Sequence, residues 1–169
     1  MSRDGSKILF EDISNGSQLR LRTRATGAVV DVPAGIDRNA AWSTDLRRVA
    51  ASVLDGSFQR ITVFDLVTGS STVVLSVPST SALIVEAISD DGTQVVFTMA
   101  DPVARVVKRI DVGTQVVTVV SAVDGATYSR VSASADGRFV VAVRNSVEVW
   151  LYDLQTPSAT LLGAGSRAL

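Results

Sequence analysis

Carboxylates recur along this chain at a regular interval, and carboxylates can bind hard cations or transfer protons. Four of them share a repeated frame, Ser-x-Asp, which is followed by Gly in three of its four copies. The acids are Asp4, Asp45, Asp91 and Asp136. Arranged in a ring they would suit a metal ion, but an acid in a turn also accepts hydrogen bonds from nearby backbone N–H groups. Because every copy carries the acid, we interpret all four as turn-capping residues and predict no metal site.

The sequence offers little for catalysis. Histidine and cysteine are both absent, which removes the commonest general base at neutral pH and all thiolate chemistry. Adjacent acids occur at Glu11-Asp12 and Asp90-Asp91, but neighbours on a strand point to opposite faces and cannot act together on one substrate. The chain also lacks a G-x-S-x-G nucleophile motif. We therefore predict that the protein has no catalytic residues, is not an enzyme and uses no cofactor.

A second group of candidates is cationic. Arg20, Arg22 and Arg24 alternate along one short segment. On a strand their guanidinium groups would share one face, where they could bind an acidic partner or a phosphate. The other interpretation is an ordinary solvated strand face with a positive bias.

Length and composition limit the class of protein. The chain has 169 residues, enough for one domain with its own core. Its net charge is −1, which argues against a nucleic-acid-binding protein, because such proteins need a basic surface. The apolar runs are too short for a membrane-spanning helix, and the polar start, MSRDGSKILFED, does not resemble a secretory signal. We predict neither nucleic-acid binding nor membrane insertion, and the cellular compartment stays open.

The elements that position these residues follow from the repeat. The serines of the frame stand at positions 2, 43, 89 and 134, so that successive copies are 41 to 46 residues apart. Residues of high β-propensity, separated by turn dipeptides such as Asp-Gly and Thr-Gly, give four short strands per copy. In the third copy the predicted strands are Leu83–Ile88, Gln94–Met99, Arg105–Ile110 and Gln115–Ser121. This period and strand count predict an all-β propeller.

The repeated frame, S-x-D-G-x-x-[VIL]-x-F with a later acid between apolar residues, resembles the WD40-like repeats of the TolB-like β-propeller family. The resemblance extends over essentially the whole chain. It implies that each Ser-x-Asp turn joins the innermost strand of a blade to the second strand, and that the innermost strands line a central channel. Five polar residues on or near those strands are then candidates for binding a ligand, such as an anion: Arg38, Asn39, Glu86, Arg130 and Arg167.

The first repeat begins at its turn and lacks an inner strand. When the two ends of the chain are joined, Ser166-Arg167-Ala168-Leu169 aligns with Ser129-Arg130-Val131-Ser132 of the fourth repeat. We therefore predict that residues 166–169 supply the missing inner strand. A single domain, residues 1–169, would then hold four blades of four antiparallel strands. Their approximate bounds are 1–35 with 166–169, 36–79, 80–123 and 124–165.

The tail can complete the first blade in two ways. Docked on its own chain it closes a four-bladed ring, whereas exchange between two chains gives an eight-bladed homodimer with twofold symmetry. Small residues on the inner strands favour the wider ring: Ala40, Ala41, Ala87 and Ala133. A third interpretation is a half-propeller excised or engineered from a longer protein.

The family resemblance implies protein–protein interaction, or service as the propeller part of a larger enzyme. Because the sequence offers no candidate catalytic residues, we predict a non-catalytic scaffold for self-assembly and for binding another protein. The alternatives are the propeller part of a hydrolase, lyase or peptidase, and a half-propeller with no native ligand.

Overall fold

The computed structural model describes residues 1–15, 18–34, 36, 40–100, 104–122 and 124–164. Within these ranges the chain forms strands joined by turns, with two short 3-10 helices, Ile13–Asn15 and Ser79–Ser81. In chain order the strands are β1 (Lys7–Asp12), β2 (Gln18–Thr23), β3 (Val29–Asp31), β4 (Ala41–Trp42), β5 (Arg48–Asp55), β6 (Phe58–Asp65), β7 (Ser71–Pro78), β8 (Ile84–Ile88), β9 (Gln94–Ala100), β10 (Arg105–Asp111), β11 (Val117–Val119), β12 (Tyr128–Ala133), β13 (Phe139–Arg144), β14 (Glu148–Asp153) and β15 (Ser158–Ala164). No helix in the described part of the chain is long and apolar enough to cross a membrane.

These strands form four antiparallel sheets, one for each copy of the repeat. The first sheet has three strands, β1-β2-β3, and the others have four: β4-β5-β6-β7, β8-β9-β10-β11 and β12-β13-β14-β15. Where the chain is described, each strand pairs only with its neighbours in the sequence, as in consecutive hairpins. The predicted all-β class is confirmed, and the four sheets are consistent with propeller blades. The predicted inner strand of the first sheet, residues 166–169, lies outside the described residues.

Strand boundaries in the third sheet agree with prediction to within one residue, except at the outer strand. The strand expected over Gln115–Ser121 is only Val117–Val119. At its start, Gln115 has φ +59° and belongs to the preceding turn. At its end, the N–H groups of Val120 and Ser121 both donate to Val107 O, at 2.9 and 3.3 Å, which ends the regular ladder.

The Ser-x-Asp turns have the same hydrogen bonding in all four copies. In the third turn, Ser89 Oγ donates to the Asp91 carboxylate at 2.6 Å and accepts a hydrogen bond from Gln94 N at 3.0 Å. Gly92 has φ +71°, a conformation that glycine adopts without steric cost. The corresponding hydroxyl–carboxylate distances are 2.7, 2.7 and 2.5 Å for Ser2–Asp4, Ser43–Asp45 and Ser134–Asp136.

Three hydrophobic clusters hold the sheets together, one between each pair of consecutive sheets. The first includes Leu19 and Val49, the second Ile61 and Phe97, and the third Val107 and Val140. Burying one such side chain fully stabilises the fold by about 1.5–3 kcal/mol. No described cluster joins the fourth sheet to the first, so the sheets pack in sequence, each on the next.

The turns add polar contacts between sheets. Arg3 N donates to Thr44 O, and Asp90 N donates to Ala135 O, both at 2.7 Å. Between these two contacts, the N–H of Thr44 donates to the Asp90 carboxylate at 2.6 Å. The residue after each of the first three turn serines therefore bonds to the turn of the following sheet, which fixes the spacing of neighbouring sheets.

Candidate functional site

Glu86, one of the predicted channel residues, is half-buried and already hydrogen-bonded. It lies on β8 at a register shift between Val85 and Ala87, where the strand carries one extra residue. Its carboxylate accepts a hydrogen bond from Thr98 Oγ1 at 2.9 Å. Burial raises the pKa of Glu86, while the Thr98 hydrogen bond and the Arg105 charge act in the opposite direction. The carboxylate is thus held against the second strand of its own sheet.

Arg130, a second channel candidate, lies at a similar irregularity on the innermost strand of the fourth sheet. The register of β12 shifts between Ser129 and Ser132. Arg130 is exposed and has φ +48°, a backbone conformation that side chains other than Gly rarely adopt. Glu86 and Arg130 form no ion pair among the described residues. The other channel candidates, Arg38, Asn39 and Arg167, lie outside the described residues, so ligand binding by this set stays a prediction.

The three arginines of the first sheet have different surroundings. Arg20 is paired within its own sheet, with Asp31 at 2.8 Å and with Asp12 at 2.5 Å. Arg24 follows β2 and donates to Gly5 O at 3.3 Å. Arg22 is exposed, and its strand partner is Ile8. Arg22 is therefore the arginine of this group best placed to contact another molecule, and binding through it stays a prediction.

The turn acids are structural in their contacts. Asp4 accepts hydrogen bonds from Ser2 Oγ at 2.7 Å, Ser6 N at 2.9 Å and Ser6 Oγ at 2.8 Å. These donors stabilise the charged form and lower the pKa of Asp4 to about 2. Where the chain is described, no group of three or more Asp, Glu, His or Cys side chains is placed to hold a metal ion. The turn-capping interpretation accounts for the contacts of all four acids.

Asp4→Asn is expected to weaken the dependence of stability on acidic pH. The pKa of the Asp4 carboxyl is lower in the folded protein than its ordinary value of 3.8, so the unfolded chain binds more protons as the pH falls between these values. Its stabilising effect is complete above about pH 5 and is lost as the pH falls towards 2. Urea midpoints measured from pH 5 to pH 2 should therefore fall less steeply in Asp4→Asn than in wild type. Glu11→Gln, an exposed strand acid outside the turns, is the control, and equal slopes for wild type and Asp4→Asn would contradict the prediction.

A cleft between the outer parts of the third and fourth sheets was not predicted from the sequence. Its volume is about 260 Å³, and its walls include Val119, Tyr152, Leu154 and Pro157, with Arg109 at one side. The walls come from two different repeats, so no pattern within one repeat predicts that they form a cleft. The cleft is mainly apolar, with one cationic group that hydrogen-bonds to Gln94 Oε1 at 3.3 Å.

The inner edge of the first sheet is the surface best suited to bind a partner strand. In the other sheets the second strand has an inner neighbour: β4 pairs with β5, β8 with β9 and β12 with β13. Among the described residues β1 pairs only with β2. On the other edge, Lys7 N and Lys7 O bond to Ser2, and beyond Lys7 the described residues provide no partner strand. An edge without a partner strand readily accepts an added one.

These features define the class of protein: an all-β chain of four successive blade-like sheets, the first of which has no inner partner strand among the described residues. Similar solved structures are β-propellers. TolB from Acinetobacter baumannii matches with 19% identity and a TM-score of 0.69 over 95% of this chain and 41% of the TolB chain. An oligogalacturonate lyase in complex with manganese matches with 18% identity and a TM-score of 0.68 over 98% of this chain and 52% of the lyase.

A structure from a study of two prolyl endopeptidases is also similar, with 17% identity and a TM-score of 0.67. It covers 97% of this chain and 29% of the peptidase. No family model matches the sequence, and no curated protein matches it. The resemblance to TolB-like propellers is therefore confirmed as a likeness of fold. This chain spans about half or less of the length of these three proteins.

Proposed function

We propose that this chain is a non-catalytic propeller scaffold that assembles with itself and binds another protein through the assembled ring. The observation that carries the proposal is the open inner edge of β1. An edge of this kind binds an extended segment through main-chain hydrogen bonds. The partner that the repeat pattern suggests is an inner strand like those of the other three sheets.

The other sheets indicate the register that such a strand would adopt. The residue before each turn serine pairs with the residue six positions after that serine, as in Trp42 with Val49, Ile88 with Val95 and Ala133 with Val140. In the first sheet the residue six positions after Ser2 is Ile8. The residue before Ser2 is Met1, so Met1 takes the position beside Ile8 in this register. A supplied strand would therefore run alongside Leu9 and the residues that follow it on β1.

We propose that Ser166, Arg167, Ala168 and Leu169 supply this strand to a second copy of the chain, which gives an eight-bladed homodimer. The separation of the fourth and first sheets supports exchange between chains, because no described hydrophobic cluster connects them. Docking of the same segment on its own chain would give a four-bladed ring instead.

The test is the solution mass, measured by light scattering on a size-exclusion column, of the full chain and of a chain lacking residues 166–169. We expect the full chain at twice 17.8 kDa and the shortened chain at the monomer mass. A control chain with Leu161→Ser, an exposed residue of β15, should keep the mass of the full chain. A full chain that is monomeric, or a shortened chain that is still dimeric, would contradict the proposal.

A second candidate function is the propeller part of a lyase or peptidase. It is favoured by the similarity to an oligogalacturonate lyase and a prolyl endopeptidase structure, whose lengths exceed that of this chain. Manganese tests the lyase alternative, because the similar lyase structure holds manganese and a cation that binds the folded state raises its melting temperature. A rise in melting temperature with saturating Mn²⁺ would favour the lyase alternative, whereas an unchanged melting temperature would count against it.

A further inference from the structure

The first sheet exposes a hydrophobic position that the other sheets bury. Six residues after the turn serine, the second strand of each sheet carries an apolar side chain directed at the preceding sheet. Val49, Val95 and Val140 occupy this position in the second, third and fourth sheets, and each is 0% exposed. Ile8 occupies it in the first sheet and is 36% exposed. The face of the first sheet that carries Ile8 therefore lacks the neighbour that the other sheets have.

Two residues further along, the same face carries a second apolar side chain. Phe97 and Ala142 stand at this position in the third and fourth sheets, and both are 0% exposed. In the first sheet the position is held by Phe10, which is only half-buried. Ile8 and Phe10 together form an apolar surface next to the open edge of β1, and we call it the leading face.

The fourth sheet has a comparable face on its other side, where a following sheet would pack. Seven residues after the turn serine, the second strand directs a side chain towards the following sheet. Ala50 packs in the cluster between the second and third sheets, and Val96 packs in the cluster between the third and fourth. In the fourth sheet the position is held by Val141, whose partner on β14 is Leu151. Both are half-buried and belong to none of the described clusters. We call this surface the trailing face.

The turns at the two ends carry matching polar groups. The turn-to-turn hydrogen bonds run forward from one sheet to the next, from Arg3 N to Thr44 O and from Asp90 N to Ala135 O. Within the described residues this leaves Ala135 N at the last turn without an acceptor and Arg3 O at the first turn without a donor. A hydrogen bond from Ala135 N of one copy to Arg3 O of another would repeat the contact found between turns within the chain.

We propose that the trailing face of one copy packs on the leading face of a second copy, and that twofold symmetry repeats the contact to close the ring. This inference rests on the proposed self-assembly and names the surfaces that perform it. The partner is a second copy because the two faces are the halves of an interface that the chain builds three times internally. Val141 and Leu151 of one copy lie against Ile8 and Phe10 of the other, with a hydrogen bond from Ala135 N to Arg3 O.

Near the outer strands, the proposed contact between copies is more polar than the contacts between sheets within the chain. Arg22, the strand partner of Ile8, stands where β6, β10 and β14 carry Phe64, Ile110 and Tyr152. The contact is thus apolar near the inner strands and charged farther out. This arrangement suits an interface formed between folded chains, since interfaces of that type have an apolar centre and a polar rim.

The test uses two charge variants of the full chain, Ile8→Glu on the leading face and Val141→Glu on the trailing face. Each alone damages both contacts of the symmetric dimer, so each should have the monomer mass by light scattering, with an unchanged far-UV circular dichroism spectrum. Mixed in equal amounts they retain one undamaged contact, between the trailing face of Ile8→Glu and the leading face of Val141→Glu. The mixture should therefore regain a mass of twice 17.8 kDa.

The control is Ile13→Glu, which adds the same charge at a residue that is 81% exposed and follows β1, and it should remain dimeric. If both face variants stay dimeric while removal of residues 166–169 gives monomers, strand exchange stands and this pairing of faces is overturned. A mixture that stays monomeric also overturns it. Should either variant lose its circular dichroism spectrum, Ile8→Ser and Val141→Ser replace the glutamates in the same mixing experiment.

Discussion

Phe97→Ala is expected to lower the free energy of unfolding by about 3–5 kcal/mol, the usual range for removing a buried aromatic ring. Phe97 is 0% exposed and lies in the cluster between the second and third sheets. Neighbouring strands limit how far the surroundings can close around the cavity. Since a domain is stable by only about 5–15 kcal/mol in total, the variant should be near its unfolding limit at room temperature.

Urea denaturation followed by circular dichroism measures this effect. Phe58→Ala is the matched control, because Phe58 is 48% exposed at the start of β6 and its removal should cost about 0.5 kcal/mol or less. A loss of stability in Phe97→Ala no greater than that in Phe58→Ala would show that the sheets are not held together by this cluster.

Gly92→Ala is expected to cost about 2–3 kcal/mol, more than backbone strain alone would explain. Gly92 has φ +71°, and an added Cβ would lie 2.2 Å from Arg48 Cδ of the preceding sheet. Arg48 would have to move, and its hydrogen bond to Asp90 O, now 2.8 Å, would be lost. The substitution therefore combines strain within a turn with the loss of a contact between sheets.

The control is Gly69→Ala, which has φ +73° but no atom within 4 Å of the added Cβ. It should lose only the strain, about 1–2 kcal/mol. Thermal or urea unfolding of both variants gives the difference between their losses of stability. The double variant Arg48→Ala/Gly92→Ala should recover part of the additional loss seen in Gly92→Ala. Equal losses in the two glycine variants would exclude a contribution from Arg48.

The repeat made much of this fold predictable, because a turn that recurs at a regular interval positions strands on both sides of it. Asp91 illustrates this, since its capping role follows from its place between Ser89 and Gly92. The contacts between repeats were not predictable in the same way. The bond from Thr44 N to the Asp90 carboxylate joins two turns, and neither residue belongs to the invariant part of the frame.

The candidate sites were less predictable than the fold for a related physical reason. Glu86 was placed on the correct strand, but the register shift that turns its carboxylate to Thr98 depends on the pairing of β8 with β9. The cleft beside Tyr152 arises only where two sheets meet. The exposure of Ile8 likewise depends on whether another sheet packs against it, which its own repeat does not encode. Val49, Val95 and Val140 occupy the same position in their repeats and are buried.

Because each sheet packs only on its neighbours in the described chain, unfolding should not be fully cooperative. In such an array, stability is approximately the sum of the intrinsic stability of each unit and of the interfaces between neighbours. Among the described residues, the second and third sheets each have two hydrophobic interfaces, whereas the first and fourth each have one. Local unfolding should therefore begin at the two end sheets and proceed inwards. A partner that covers both ends removes these starting points, so that assembly would turn a chain that frays from its ends into one that unfolds as a single unit.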